Sequence, residues 1–302
     1  MLTGYAHPSY AFSLSEFGNP RELPRCGGWI LERQIHGFPF KDGMGCYPLF
    51  CCRDWSKLHL DLDDLNNDLI SLTLVTDPFG NYDISYLQKH FDLVKPFKKH
   101  FIANLNLPIE KIVSKHHRYY AKKALQSLQI ELCLSPEDFL DEWIILYNNL
   151  IEKHNINGIR AFSRQSFSEQ LVVPGIVIFR ALYKGETIGA RLVYIQDQVA
   201  YSHLSAFNPN GYNLRAGYGI DMELIRYLSI NGLRYFDHGA GAGIINNTQD
   251  GLSKFKKGWS TETRTAYLCG RIFDKKKYLE ITTSKNIVNT KYFPAYREGE
   301  FV

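Results

Sequence analysis

Apolar and polar positions give the chain two textures that meet near residue 132, and the second half is the sharper. Ser135-Pro136-Glu137-Asp138 places a capping serine, a proline and two acids in sequence. Phe139, Trp143, Leu146, Tyr147 and Leu150 then recur at helical spacing. SRQSFSEQL, residues 163–171, predicts a second, short helix. IVIFRALYKG and ETIGARLVYIQ predict two strands turning at Lys184-Gly185, and QVAYSHLSAF a third after a turn at Asp197-Gln198. NPNGYN reads as a loop. It leads into a helix from about Arg215 to Ile230 with the stripe Ile220, Leu224, Tyr227 and Leu228, and Gly232 stands just past its end. LRYFDH predicts a short strand, GAGAGIINNTQDG a glycine-rich loop, LSKFKKGW a short helix or turn and ETRTAYLCGRIF a last strand.

Before residue 132 the chain is loop-rich and aromatic. GWILERQI, ISLTLVTDPFG and FKKHFIANLNL read as strands, and YPLFCC is a further apolar run. SKHHRYYAKKALQSL, residues 114–128, predicts a helix capped by Ser114. Ala121, Ala124, Leu125 and Leu128 form its apolar face, and Lys115, Arg118 and Lys122 form a basic stripe. The expected class is α/β, with one lobe over 1–132 that includes this basic helix and another over 133–302.

A length of 302 residues suits one large domain or two lobes, and 45% hydrophobic with 22% charged residues excludes a disordered or fibrous chain. No apolar run reaches the ~18–20 residues of a membrane-spanning helix. MLTGYAHPSYAF has neither the basic start nor the apolar core of a secretory signal, so a soluble cytoplasmic protein is expected. The formal charge of +4 is mildly basic, compatible with a phosphate-bearing substrate without requiring one. Cys26, Cys46, Cys51, Cys52, Cys133 and Cys269 contain no C-x-x-C pair, which leaves structural thiols as the reading and no metal site. His116-His117 are helix neighbours that cannot face one metal together. The P-loop, nucleophile-elbow and H-E-x-x-H patterns are missing, which argues against the common NTPase, hydrolase and metalloprotease classes.

The order from Ser135 onward, with Arg215-Ala216-Gly217-Tyr218-Gly219 opening a helix after the central strand, resembles the GNAT acyltransferase fold. There a helix start cradles the cofactor pyrophosphate, since free N–H groups and the helix dipole stabilise anions. The family places Arg or Gln three residues before the first of two alternating glycines; here Leu214 stands there and Arg215 follows. Three stretches resemble the Fem-type branch more closely: the basic helix SKHHRYYAKKAL, the run AYSHLSAFNPNGYNLRAGYGIDMELIRYLSINGLRYFDHG, and Phe255-Lys256-Lys257-Gly258-Trp259, similar to the family's F-K-x-G-F. The resemblance covers most of 114–270. It implies two GNAT-like lobes, the N-terminal one degraded, and transfer of an acyl group to an amine. The donor would be acyl-CoA or another thioester or, as in Fem proteins, aminoacyl-tRNA. The acceptor would be a small molecule, peptide or sugar amine. A non-catalytic GNAT-like binding module is the alternative from another class.

Amine acylation needs a proton acceptor, donors for the oxyanion and a proton for the leaving group. Strand alternation puts Tyr201, His203 and Ser205 on one face, and His203 has the chemistry of a base near neutrality. Asp237 and His238 end the next strand, where α/β sites concentrate. Asp237 is the expected cleft residue, because neighbours on a strand point oppositely. Lys256 matches the family lysine that neutralises donor phosphate, with Lys257 facing solvent. Arg215, Gly217 and Gly219 form the expected donor cradle, and Tyr218 is a candidate proton donor. Tyr201, Ser205, His238 and Arg118 are the expected acceptor-side contacts.

Overall fold

The computed structural model describes residues 2–241, 250–287 and 290–300. The chain gathers into two compact units. One comprises Tyr5–Phe97, Asn157–Phe162 and Ala266–Val302; the other Met1–Gly4, Lys98–Ile156 and Ser163–Thr265. The α/β class and the two-lobe organisation expected from the sequence are what the structure shows.

The first unit opens with helix α1 (Pro8–Phe12), then strands β1 (Asn19–Leu23), β2 (Gly28–Gln34) and β3 (Lys41–Gly45), helix α2 (Leu58–Asp64), β4 (Ser71–Val75) and helix α3 (Ile84–His90). β1, β2 and β3 pair antiparallel in sequence, β3 lies parallel to β4, and residues 268–272 return antiparallel to β4. The apolar run YPLFCC forms no named strand. Its Phe50 makes one parallel bridge to Thr76 and packs with Cys26, Leu58, Leu72 and Leu74 in the core. None of the described cysteines is in a disulfide, and burial pushes the Cys46 and Cys269 thiols up to about 12, as inert packing groups.

The second unit carries the sharper pattern. It runs through β5 (Leu93–Asn104), α4 (Ile109–Ile112), α5 (Lys115–Leu125), β6 (Gln129–Leu132), α6 (Leu140–His154), α7 (Arg164–Gln170), β7 (Ile176–Tyr183), β8 (Glu186–Gln196) and β9 (Val199–Phe207). Then come α8 (Pro209–Asn213), α9 (Ala216–Ile230), β10 (Tyr235–Asp237) and α10 (Gly251–Lys257); β11 (Glu262–Ile272) begins here and continues in the first unit, to which α11 (Lys275–Ser284) belongs. The strand order in this unit is β5-β10-β9-β8-β7-β6, antiparallel except where β10 lies parallel to β9. Leu132, where the texture changes, is the last residue of β6 and pairs with Phe179 of β7 inside this unit.

Helices α5 and α9 cover one face of these strands. Ala121, Ala124, Ile220, Leu224 and Leu228 pack on Val193, Ala200 and Phe236, each large side chain contributing about 1.5–3 kcal/mol on burial. Trp143 and Tyr147 of α6 meet Phe167 of α7 with ring centroids 5.7 and 4.7 Å apart. The Ser114 hydroxyl caps α5 as expected, accepting from the His117 N–H at 3.2 Å. The Ser135 side chain makes no cap bond, because residues 136–139 form a separate 3-10 turn before α6 begins. NPNGYN is a helical turn instead of an open loop: Asn208 accepts from the Gly211 N–H and Pro209 occupies the first helical position.

Candidate functional site

Strands β9 and β10 pair only over Val199–Tyr201 and Tyr235–Asp237. β9 then continues to Phe207 alongside β8. The chain after β10 stays with β5, the His238 N–H donating to Phe101 and the Phe101 N–H to Gly239. The pairing of these strands therefore ends at Tyr201 and Asp237, at a strand end, the place where α/β folds put their ligands.

On the α9 side of this strand end lies a buried charged layer. Arg191 of β8 sets Nε 2.7 Å from the Asp221 carboxylate of α9 and donates from Nη1 to Ser202 at 2.7 Å. Burial pushes the Asp221 carboxyl up to about 6 against the pull of Arg191 and Lys256. Lys256 donates to the Ala240 carbonyl at 2.6 Å, and burial followed by the Arg191 charge brings its ammonium down to about 8. His238 is 1% exposed, with the Trp259 backbone beside its ring. Burial and then the charges of Arg191 and Lys256 hold that imidazole well below its ordinary range, so it is neutral.

On the opposite side, Asp237 accepts from His100 Nδ1 at 2.7 Å through one oxygen and from the Gly239 N–H at 2.7 Å through the other. His100 enters from β5, whose Ile102 stands directly opposite Asp237. His203 lies on the same face of β9 as Tyr201, but its Nε2 meets the Gln170 side chain at 2.9 Å and its ring lies 5.0 Å from Tyr194.

The start of α9 is ringed by aromatic side chains. Arg215, left-handed at φ 59°, lays its guanidinium 3.7 Å over the Tyr120 ring. Tyr218 packs against His117, Tyr120 and Phe255 at 5.1, 5.4 and 5.0 Å. The His117 imidazole bridges two elements: Nδ1 accepts from the Ser114 hydroxyl at 2.8 Å, and Nε2–H donates to the Phe255 carbonyl at 2.9 Å.

Residues 113–256 match the family model described as the acetyltransferase (GNAT) domain, the stretch that carries α5, the parting strands and Lys256. Residues 113–256 thus carry a GNAT domain. Its fold is similar to a crystal structure of FemX (12% identity, TM-score 0.67, covering 90% of this chain and 93% of that one). It is also similar to L-PGS from Bacillus licheniformis (13%, TM-score 0.61, 96% and 100%) and to a conserved protein of unknown function from Bacteroides thetaiotaomicron VPI-5482 (10%, TM-score 0.59, 89% and 93%). No curated protein matches the chain.

The GNAT domain brings Asp237, His238 and Lys256 to the parting of β9 and β10, with Arg215, Gly217 and Tyr218 at the start of α9. His203 meets Gln170 and Tyr194 instead. Burial pushes the His203 imidazole down to about 3, so it stays neutral and holds a proton too weakly to act as a base near neutrality. The expected shared face of Tyr201, His203 and Ser205 is also corrected. The register against β8 steps from Ser202 to Leu204 past His203, which returns Ser205 to the face of its partner Arg191. Gly217 serves packing as well as any ligand, since a Cβ there would lie 3.3 Å from the Phe207 ring. Lys115 and Lys122 are exposed on α5 and Arg118 is half-buried. Of the glycine-rich loop, residues 242–249, including Gly243, lie outside the described residues.

Sequence reasoning missed His100, His117, Arg191 and Asp221. The last two carried a signal: an acid beside Ile220 in an apolar helix stripe, and an arginine inside the apolar strand GARLVY, each need a buried partner. Among the described residues no group of three or more His, Cys, Asp or Glu side chains stands placed to hold a metal ion, and no helix is long and apolar enough to cross a membrane.

Asp221 carries a pH prediction. Its folded value of about 6 lies above its ordinary 3.8, so between these values the folded state holds a proton that the unfolded state has lost. Its contribution to stability is full below pH ~4 and is lost as pH rises towards ~6. Denaturant midpoints measured across that window should show the fall in wild type and lose it in Asp221→Asn. An unchanged slope in the variant would refute the assignment.

Proposed function

We propose that this chain is an N-acyltransferase that moves an acyl group from a thioester donor to an amine acceptor. The observation that supports it is the coincidence of the matched family segment, residues 113–256, with the strand end where the pairing of β9 and β10 stops and where Asp237, His238 and Lys256 converge. The α9 start would hold donor phosphate with Arg215, Gly217 and Gly219. Lys256 would bring positive charge to the loop that follows β10, and the acceptor amine would meet Asp237 and its neighbours, with Tyr201 on the same face. The backbone N–H groups of β9 beyond Tyr201 stand along the parted edge, where an oxyanion needs donors.

A second reading, aminoacyl-tRNA as donor, is favoured by the whole-chain similarity to FemX, which extends well beyond the matched family segment. Thermal stabilisation separates the two. A ligand at 100 times its Kd adds about 2.7 kcal/mol to folding. A shift with an acyl-CoA panel but not with a charged tRNA pool supports the thioester, the reverse supports aminoacyl-tRNA, and silence with both refutes transfer by this site. Lys256→Ala should weaken donor binding about ten- to a hundredfold, the worth of a charged hydrogen bond, with little change in turnover at saturation. Donor affinity equal to wild type would remove Lys256 from the donor site.

A further inference from the structure

We propose that His100 is the catalytic base of this site and that Asp237 is its positioning residue; the assignment rests on the acyl-transfer reading above. The two are 137 residues apart in sequence, yet the antiparallel register of β5 and β10 sets Ile102 opposite Asp237 and brings His100 onto the same face, 2.7 Å from the carboxylate. Both Asp237 oxygens are engaged, one by the His100 ring and one by the Gly239 N–H. A carboxylate so held is an acceptor of hydrogen bonds and requires the His100 proton on Nδ1, which leaves the Nε2 lone pair outward. That Nε2 has no hydrogen-bond partner among the described residues. The His100 side chain keeps 9% of its surface exposed against 2% for Asp237, so the imidazole is the part of the pair that a substrate can reach.

The other histidines of the site are unsuited to the task. His203 is spent on Gln170, and His238 lies on the opposite face beside Phe236, under the charges of Arg191 and Lys256. His100 presents an oriented imidazole at the point where the strands part. As the neutral acceptor amine attacks the acyl carbon, the C–N bond forms and the amine N–H proton passes to His100 Nε2. The tetrahedral intermediate then collapses, the C–S bond to the thioester leaving group breaks, and the Nε2 proton passes to the departing sulfur, which restores the neutral ring. With an aminoacyl ester the same proton goes to the departing oxygen. Asp237 keeps its charge throughout and stabilises the imidazolium between the two transfers.

The test has two arms. In the first, nitrogen NMR of histidine-labelled protein, with His100→Gln identifying the signal, should show His100 protonated on Nδ1 and bare on Nε2. Asp237→Asn should disturb that tautomer while His203 is unmoved. A His100 ring protonated on Nε2 overturns the proposal. In the second, acyl transfer from acetyl-CoA to a panel of primary amines, and from a charged tRNA pool, is followed by release of free thiol or of deacylated tRNA. His100→Gln should lower turnover about 10²–10⁴-fold with donor KM unchanged, and free imidazole should restore turnover to His100→Gly. Asp237→Asn should lower turnover without altering donor KM. Near-wild-type turnover in His100→Gln, in a wild type that is active, overturns the base and leaves the transferase reading standing. Silence of the wild type with both donors overturns the transferase reading, and the base with it.

Discussion

Gly258→Ala should unfold this protein at markedly lower denaturant, by about 2–4 kcal/mol, although the substitution adds one methyl group and the backbone there is compatible with alanine. A Cβ at residue 258 would lie 2.0 Å from the Cε1 of His117 and 2.3 Å from both ring nitrogens. The ring cannot step aside cheaply. Its Nδ1 is tied to Ser114, its Nε2–H to the Phe255 carbonyl, and its faces meet Tyr218, Phe255 and Trp259. Moving it gives up two hydrogen bonds and an aromatic cluster, and it loosens the helix that carries Lys256. A double-mutant cycle isolates the cause: His117→Ala removes the obstacle, so His117→Ala/Gly258→Ala should be no less stable than His117→Ala alone. Additive losses would show that Gly258 matters for another reason.

The second large effect belongs to the Arg191–Asp221 pair. Both side chains are almost wholly buried, at 5% and 0% exposure, so neither recovers water when its partner is lost. Arg191→Met should cost about 3–5 kcal/mol, because it strands a carboxylate under α9, and Asp221→Leu should cost a similar amount by stranding the guanidinium. The double variant Arg191→Met/Asp221→Leu should recover most of that loss, since two apolar side chains of similar volume need no partner. Chemical unfolding at neutral pH measures all three. A double variant as unstable as the sum of the singles would mean that the pair does more than neutralise itself, with Ser202 and Lys256 depending on it as well.

How far the sequence could be read depended on the range of the forces involved. The stripe Ile220, Leu224 and Leu228, the positive-φ Gly232 that follows α9, and the turns at Lys184-Gly185 and Asp197 were legible because they are decided by residues within a few positions of one another. The Ser114 cap was legible for the same reason, its hydroxyl reaching an N–H three residues on. Ser135, with the same local signal, makes no cap bond because the chain takes a 3-10 turn first. Alternation along β9 was legible only as far as the pairing stayed regular. The bulge at His203 is set by the register against β8, and it sends Ser205 to the other face.

The site itself was half written in the sequence. Asp237 and the α9 start could be read because a strand end and a helix start are local features with known chemistry, whereas Lys256 came only from the resemblance of Phe255-Lys256-Lys257-Gly258-Trp259 to the family's F-K-x-G-F. That Asp237 belongs to His100, that His117 holds the Phe255-Lys256 segment, and that Asp221 belongs to Arg191 are matters of tertiary structure. These partners lie 137, 138 and 30 residues apart, and no local preference selects among the ten histidines or many charges of the chain. Strand register and helix packing decide such pairings. A buried polar group must be satisfied by whatever the fold brings within reach, and only the folded chain determines which group that is.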